Sequence, residues 1–143
     1  MQKEIILALF DLLSEIRGHT RLQKLLFLLQ HEVEENLDLQ FKPYLYGPYS
    51  AALSDVLDEL KKENLIKEIK DIDDPNEKGF LYIINRDEKK MIEKYLMRIN
   101  SSLSKKIKKI ANKYGRMPIN QLLKYVYLMY PDYTTKSIWK GNT

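Results

Sequence analysis

The side chains able to do acid–base or ligand chemistry in this chain are two histidines, His19 and His31, a set of acids, and many lysines and tyrosines; there is no cysteine. His31-Glu32 is followed by Val33-Glu34-Glu35, so the His-Glu-x-x-His zinc pattern is absent. A nucleophilic serine needs a base, and His19 falls in a turn after Gly18 with no acid partner in view. Asp73-Asp74 pairs two carboxylates, but inside a polar turn where both are solvated. Glu68-Ile69-Lys70 matches the Glu-x-Lys element of some metal-dependent nucleases, yet the tripeptide is common by chance and lies in a short strand. No Gly-rich phosphate loop occurs. Without Cys there is no disulfide framework, no thiolate metal site and no Cys nucleophile. The chain therefore reads as non-catalytic, with no metal and no cofactor.

Charge directed at phosphate is better supplied. Lys105, Lys106, Lys108, Lys109, Lys113 and Arg116 cluster within twelve residues. On a helix, Lys105, Lys108, Lys109 and Lys113 share one side, opposite Ile107, Ile110 and Tyr114. That is a candidate nucleic-acid face; a plain solvated amphipathic helix has the same pattern, and the residues alone do not separate the two. Lys78, Lys89 and Lys90 are further candidates in the same half of the chain. Tyr44, Tyr46, Tyr49 and Ser50 flank Gly47-Pro48 and form a candidate partner-binding segment. The alternative is that these tyrosines pin a loop onto a core.

These residues must be positioned by helices and a hairpin. Residues 3–16 read as a helix that is apolar nearly all round, closed by Gly18. Thr20 and Gln23 form a capping box for a second helix to about Asn36, with Leu22, Leu25, Leu26, Leu29 and Val33 on one stripe. Phe41 to Tyr46 is extended in character, and Gly47-Pro48 is a start signal for a third helix to about Glu63. Leu65 to Ile72 and Phe80 to Asn85 make an antiparallel hairpin across the turn Asp73 to Gly79. Asp87 is placed to cap the next helix, whose stripe continues in phase through Tyr114. Asn100-Ser101-Ser102 is a candidate break, so one helix or two remain open there. Pro118 starts a last helix to about Tyr130, with Ile119, Leu122, Leu123, Val126, Tyr127 and Tyr130 inward.

Three helices, a hairpin, then more helices is the order of a winged helix, with the third helix as the groove-entering element. The expected class is α+β, mostly helical, with a two- or three-stranded wing and added C-terminal helices. Residues 1–86 would be the winged-helix core and 87–143 a helical extension packed on it. The connection before the third helix is long, and Phe41 to Tyr46 is placed to fill it as a third wing strand.

The runs Arg21-Leu22-Gln23-Lys24-Leu25-Leu26-Phe27-Leu28-Leu29, Phe41-Lys42-Pro43-Tyr44-Leu45-Tyr46-Gly47-Pro48-Tyr49-Ser50 and Leu122-Leu123-Lys124-Tyr125-Val126-Tyr127 carry a resemblance. The chain resembles the YwgA-like uncharacterised proteins and, more distantly, the Panacea-domain proteins, which include antitoxins. The resemblance implies a winged-helix-like fold and a role in DNA-associated regulation or toxin neutralisation. It brings no catalytic residues.

The 143 residues carry a formal charge of +4, which hides a split. Residues 1–75 hold 9 Lys+Arg against 15 Asp+Glu, and residues 76–143 hold 15 against 5. The expected reading helix, with Asp55 and Asp58 early, thus lies in the acidic half, so base reading by it is disfavoured. No apolar run approaches the ~18 residues of a membrane span. The acidic start, with Glu4, is unlike a signal peptide, so a cytoplasmic location is expected. The leading expectation is a DNA-associated regulator, a homodimer through the apolar first helix; the alternative is an antitoxin-type module that binds a partner protein.

Overall fold

The structure, a computed structural model, describes residues 1–33, 37–73 and 79–141. The chain opens with α1 (Gln2–Leu13). It stops at Ser14, whose φ of 68° turns the backbone out while its N–H still reaches the Phe10 carbonyl at 2.7 Å. The residues after it form a short strand, β1 (Glu15–Arg17), rather than further helix. Ile16 sits three residues from Leu13, so it keeps helical phase in the sequence, but it is buried as the inward residue of β1. Gly18, at φ +90°, ends this strand instead of capping α1.

The second helix, α2 (His19–Val33), is the centre of the molecule. Every residue from Leu22 to Leu29 is buried, including Gln23 and Lys24. The expected Thr20–Gln23 capping box does not form. Gln23 turns inward and holds Ser50 at both ends, donating to its carbonyl (3.0 Å) and accepting from its N–H (2.8 Å). A buried amide is far better satisfied by two such bonds than by one at an exposed helix end.

Strands β2 (Lys42–Tyr44) and β3 (Gly47–Tyr49) follow as a separate hairpin, with Pro43 opposite Pro48. Gly47-Pro48 is therefore strand and not a helix start. The helix α3 (Ala51–Lys62) is started by Ser50, whose hydroxyl accepts from Leu53 N–H at 3.0 Å. Strands β4 (Ile66–Lys70) and β5 (Phe80–Ile84) pair antiparallel, as expected. The third strand of their sheet is β1, in the order β1-β5-β4, with Ile16 opposite Tyr82. Phe41 to Tyr46 does not fill that place: its extended part is consumed by the two-stranded hairpin. At the loop end of the β4–β5 hairpin, Arg17 donates to the buried Asp71 carboxylate, which also accepts Asp73 N–H at 3.0 Å.

After a 3-10 turn whose first N–H groups are held by Asn85, α4 (Lys89–Leu96) and α5 (Ser101–Tyr114) are two helices. The break is made by Asn100, whose side chain caps α5 by accepting from Leu103 N–H at 2.8 Å. Asp87 caps nothing; Asn85 accepts from its N–H instead. α6 (Ile119–Met129) starts after Pro118, but Ile119 lies on its exposed side. Both α4 and α5 pack on α1, and α5 and α6 pack on α2. The result is an α+β molecule, mostly helical.

Packing on both flanks buries most of the apolar side chains of α1, although Leu12 stays 38% exposed. Ile5, Ile6, Leu7, Leu9, Phe10 and Leu13 are all buried within the chain itself. The surface from which a homodimer was expected is thus mostly covered. At the far end, Phe27 stacks with His31 (4.0 Å between centroids) and meets Phe41, Tyr130 and Tyr133 edge-on. The tail reaches back to the β2–β3 hairpin: Ile138 N–H donates to the Leu45 carbonyl (2.9 Å), and Trp139 packs on Tyr127.

Candidate nucleic-acid interface

The sequence of α5 alternates two faces. Leu103, Ile107, Ile110, Ala111 and Tyr114 are buried against α1 and α2. Lys105, Lys108, Lys109, Asn112 and Lys113 lie together around one shallow surface depression. These four lysines are exposed, no acid occurs in α5, and none of the four forms an ion pair with a described residue. From Lys105 to Lys113 is eight steps of about 1.5 Å, so the row runs about 12 Å along the helix. Lys113 also lies over the Tyr114 ring, 5.1 Å from its centroid.

The edge of this face is not uniformly basic. Lys106, Lys109 and Lys113 line a cavity of about 320 Å³ with Glu32, Val33 and Ile110. Glu32 accepts hydrogen bonds from the Tyr114 and Tyr125 hydroxyls, at 2.8 and 2.6 Å through the same oxygen. Burial first, and then these bonds to a carboxylate, push both phenols above their ordinary pKa. Glu32 is therefore bound by tyrosine hydroxyls and screens one side of the lysine row.

The other predicted basic residues are not gathered here. Arg116 is exposed just beyond the end of α5. Lys89 and Lys90 are exposed on the first turn of α4, a separate helix on α1. Lys78 lies outside the described residues.

The helix expected to enter a groove presents acid. Asp55, Asp58 and Glu59 are exposed on α3. Its Lys61 is engaged by Asp58 (3.1 Å) and by Glu68 of β4 (3.4 Å), while Lys3 bridges Glu59 and Glu63 at 3.3 Å each. Phosphates approaching this helix meet carboxylates, with its one inward-leaning lysine already paired.

The tyrosine segment divides. Tyr44 and Tyr46 are 51% and 42% exposed, with Leu45 between them at the hairpin tip. Tyr49 is half-buried and its hydroxyl meets Ser54 at 3.2 Å. Ser50 is fully buried, holding Leu53 N–H and the Leu39 carbonyl, so it is a structural cap and touches no partner.

The sequence reading missed Lys24. It is 2% exposed, and its ammonium donates to the Pro48 carbonyl at 3.0 Å. Burial lowers its pKa from 10.5 to about 7. Beside it, His19 is within hydrogen-bond reach of the Tyr82 hydroxyl (3.2 Å), Gln23 (3.2 Å) and Ser54 (3.4 Å). Burial, then the Lys24 charge, lowers the His19 pKa. The signal was available: Gln23-Lys24 is a polar pair inside an otherwise apolar run, where the interior of a buried helix demands a reason for each polar group.

Among the described residues no group of three or more His, Cys, Asp or Glu is placed to hold a metal ion. No helix among them is long and apolar enough to cross a membrane. No protein-family model matches the chain, and no curated protein matches it.

Proposed function

We propose that this is a winged-helix-type, non-catalytic protein that associates with nucleic acid through phosphate contacts made by α5. The winged-helix part of the reading is supported by the order α1, β1, α2, α3 and then the β4–β5 hairpin, whose second strand pairs with β1, with the β2–β3 hairpin inserted between α2 and α3. The observation that carries the functional part is the exposed, unpaired row Lys105, Lys108, Lys109 and Lys113 on an acid-free helix. Lysines of this kind release counterions from a phosphate backbone and bind without reading sequence. The acidic face of α3 argues against base recognition in a major groove, so the affinity is expected to be sequence-tolerant. Lys89, Lys90 and Arg116 are secondary contacts in this proposal. Pairing of two copies, if it accompanies binding, uses a surface other than α1, which is mostly covered.

A gel-shift series with duplex DNA tests it. Replacing the four lysines by Ala abolishes retardation at low salt, whereas Asp55→Ala with Asp58→Ala leaves it intact or strengthens it. Loss with the α3 variant instead of the α5 variant would reverse the assignment.

One observation favours a second reading, a module of antitoxin type that binds a partner protein. Tyr44, Leu45 and Tyr46 stand exposed together at a hairpin tip, and exposed aromatic side chains are the usual anchors of protein interfaces. Under that reading Tyr44→Ala and Tyr46→Ala remove partner capture and leave DNA retardation unchanged.

A further inference from the structure

Between the first turns of α2 and the β2–β3 hairpin lies a cavity of about 170 Å³, bordered by His19, Thr20, Lys24, Tyr44, Tyr46 and Tyr49. We propose that this cavity is a binding site for a small carboxylate with a flat apolar body, the carboxylate meeting the Lys24 ammonium and the body lying among the tyrosine rings. The inference is independent of the nucleic-acid reading and uses none of the α5 lysines.

The cavity lining holds one ammonium and no carboxylate. Lys24 is almost fully buried, yet among the described residues it is hydrogen-bonded only to the Pro48 carbonyl. An ammonium has three donors, and no carboxylate among the described residues answers it. A buried charge is ordinarily paired, because leaving water without a counter-charge is unfavourable. No acid lines the cavity, and the nearby acids, Asp58 and Glu68, act on the adjoining His19. The first turns of α2 border the cavity, close to the positive end of its dipole. An anion entering the cavity supplies what the protein omits.

The shape limits the anion. The cavity volume equals the share of roughly six water molecules at ~30 Å³ each, enough for a ligand of benzoate size and too little for a nucleotide. No guanidinium lines it, and one ammonium matches a monoanion better than a phosphate, which favours several donors or a nest of backbone N–H groups. The walls are aromatic: Tyr44 and Tyr49 lie 5.1 Å apart, tilted at 41°, and the His19 ring lies 5.9 Å from Tyr49. Gly47 fixes the floor. Its φ is +91°, and a Cβ there would come to 3.1 Å from the Tyr127 ring and 3.6 Å from the Lys24 stem. The tail holds the hairpin in place through the bond from Ile138 N–H to the Leu45 carbonyl.

Benzoate, acetate and inorganic phosphate are titrated in turn into the full-length protein, followed by amide and side-chain NMR shifts. Benzoate is expected to saturate, with shifts confined to residues 19–24 and 44–49. Acetate should shift the same resonances more weakly for want of ring contacts. Lys24→Met should weaken benzoate binding by about tenfold or more, since a charge-assisted hydrogen bond is removed. No saturable benzoate shift in the wild type, shifts centred elsewhere, or equal binding by Lys24→Met would each overturn the site. Phosphate saturating the same resonances in preference to benzoate would overturn the carboxylate assignment. The wild-type shift map decides even if the variant folds poorly.

Discussion

Lys24→Met is expected to stabilise this protein at neutral pH, and the gain should fade as pH rises. Burial holds the Lys24 pKa at about 7 in the fold, against 10.5 for an exposed lysine. Between those values the unfolded chain binds more protons than the native one, so stability rises with pH across that window. Below about pH 7 the penalty of the buried charge is fully present, and above about pH 10.5 it has gone. Linkage over that span gives a penalty of about 4 kcal/mol at pH 7 and about 2 kcal/mol at pH 9. Met carries no charge and has a stem of similar length, but leaves the Pro48 carbonyl without its donor, which costs about 1–3 kcal/mol. The variant should therefore exceed the wild type by about 1–3 kcal/mol at pH 7, and lose about 2 kcal/mol of that lead by pH 9. Urea unfolding of both proteins at several pH values reads this directly. Taking the difference cancels the tyrosines, whose raised pKa values affect both proteins alike. A difference that does not change with pH would refute the claim that Lys24 is buried without a counter-charge.

Three other substitutions test the framework around the candidate sites. Ser50→Ala removes the cap on Leu53 N–H and the donor to the Leu39 carbonyl, and should destabilise by about 2–3 kcal/mol, lowering Tm by roughly 5–10 °C in a calorimetric scan. Glu32→Ala leaves the Tyr114 and Tyr125 hydroxyls without their shared acceptor; a loss of about 2 kcal/mol in urea unfolding is expected, and Tyr125→Phe should then cost almost nothing in the Glu32→Ala background. Arg17→Ala strips the buried Asp71 of its ion-pair partner; because Arg17 itself is 48% exposed, the expected loss in urea unfolding is smaller than for a fully buried pair.

How far the fold was legible depended on whether a residue's neighbours in sequence were also its neighbours in space. The two-faced pattern of α5, the β4–β5 pairing and the break at Asn100 are all local, and the residues announce them. β1 is different. Ile16 continues the helical phase of α1, and only its pairing with Tyr82, far along the chain, makes it a strand. Ser50 and Gln23 are likewise explained by each other, across twenty-seven residues, and each looks like an ordinary surface or cap residue on its own. The candidate lysine row was visible because amphipathic periodicity is a one-dimensional signal. The Lys24 cavity was not, because it exists only where the first turns of α2 meet a hairpin that the residues disguise as a helix start.

The α5 reading is tested most directly by the salt dependence of binding to a mixed-sequence duplex, measured by fluorescence anisotropy. If Lys105, Lys108, Lys109 and Lys113 each neutralise a phosphate, replacing all four by Ala should flatten the slope of log K against log salt by about 3–4. For the wild type those four contacts alone account for a loss of roughly 100-fold in affinity between about 50 and 200 mM salt. A wild-type protein that fails to bind at low salt, or a variant that binds with the wild-type slope, would contradict the account.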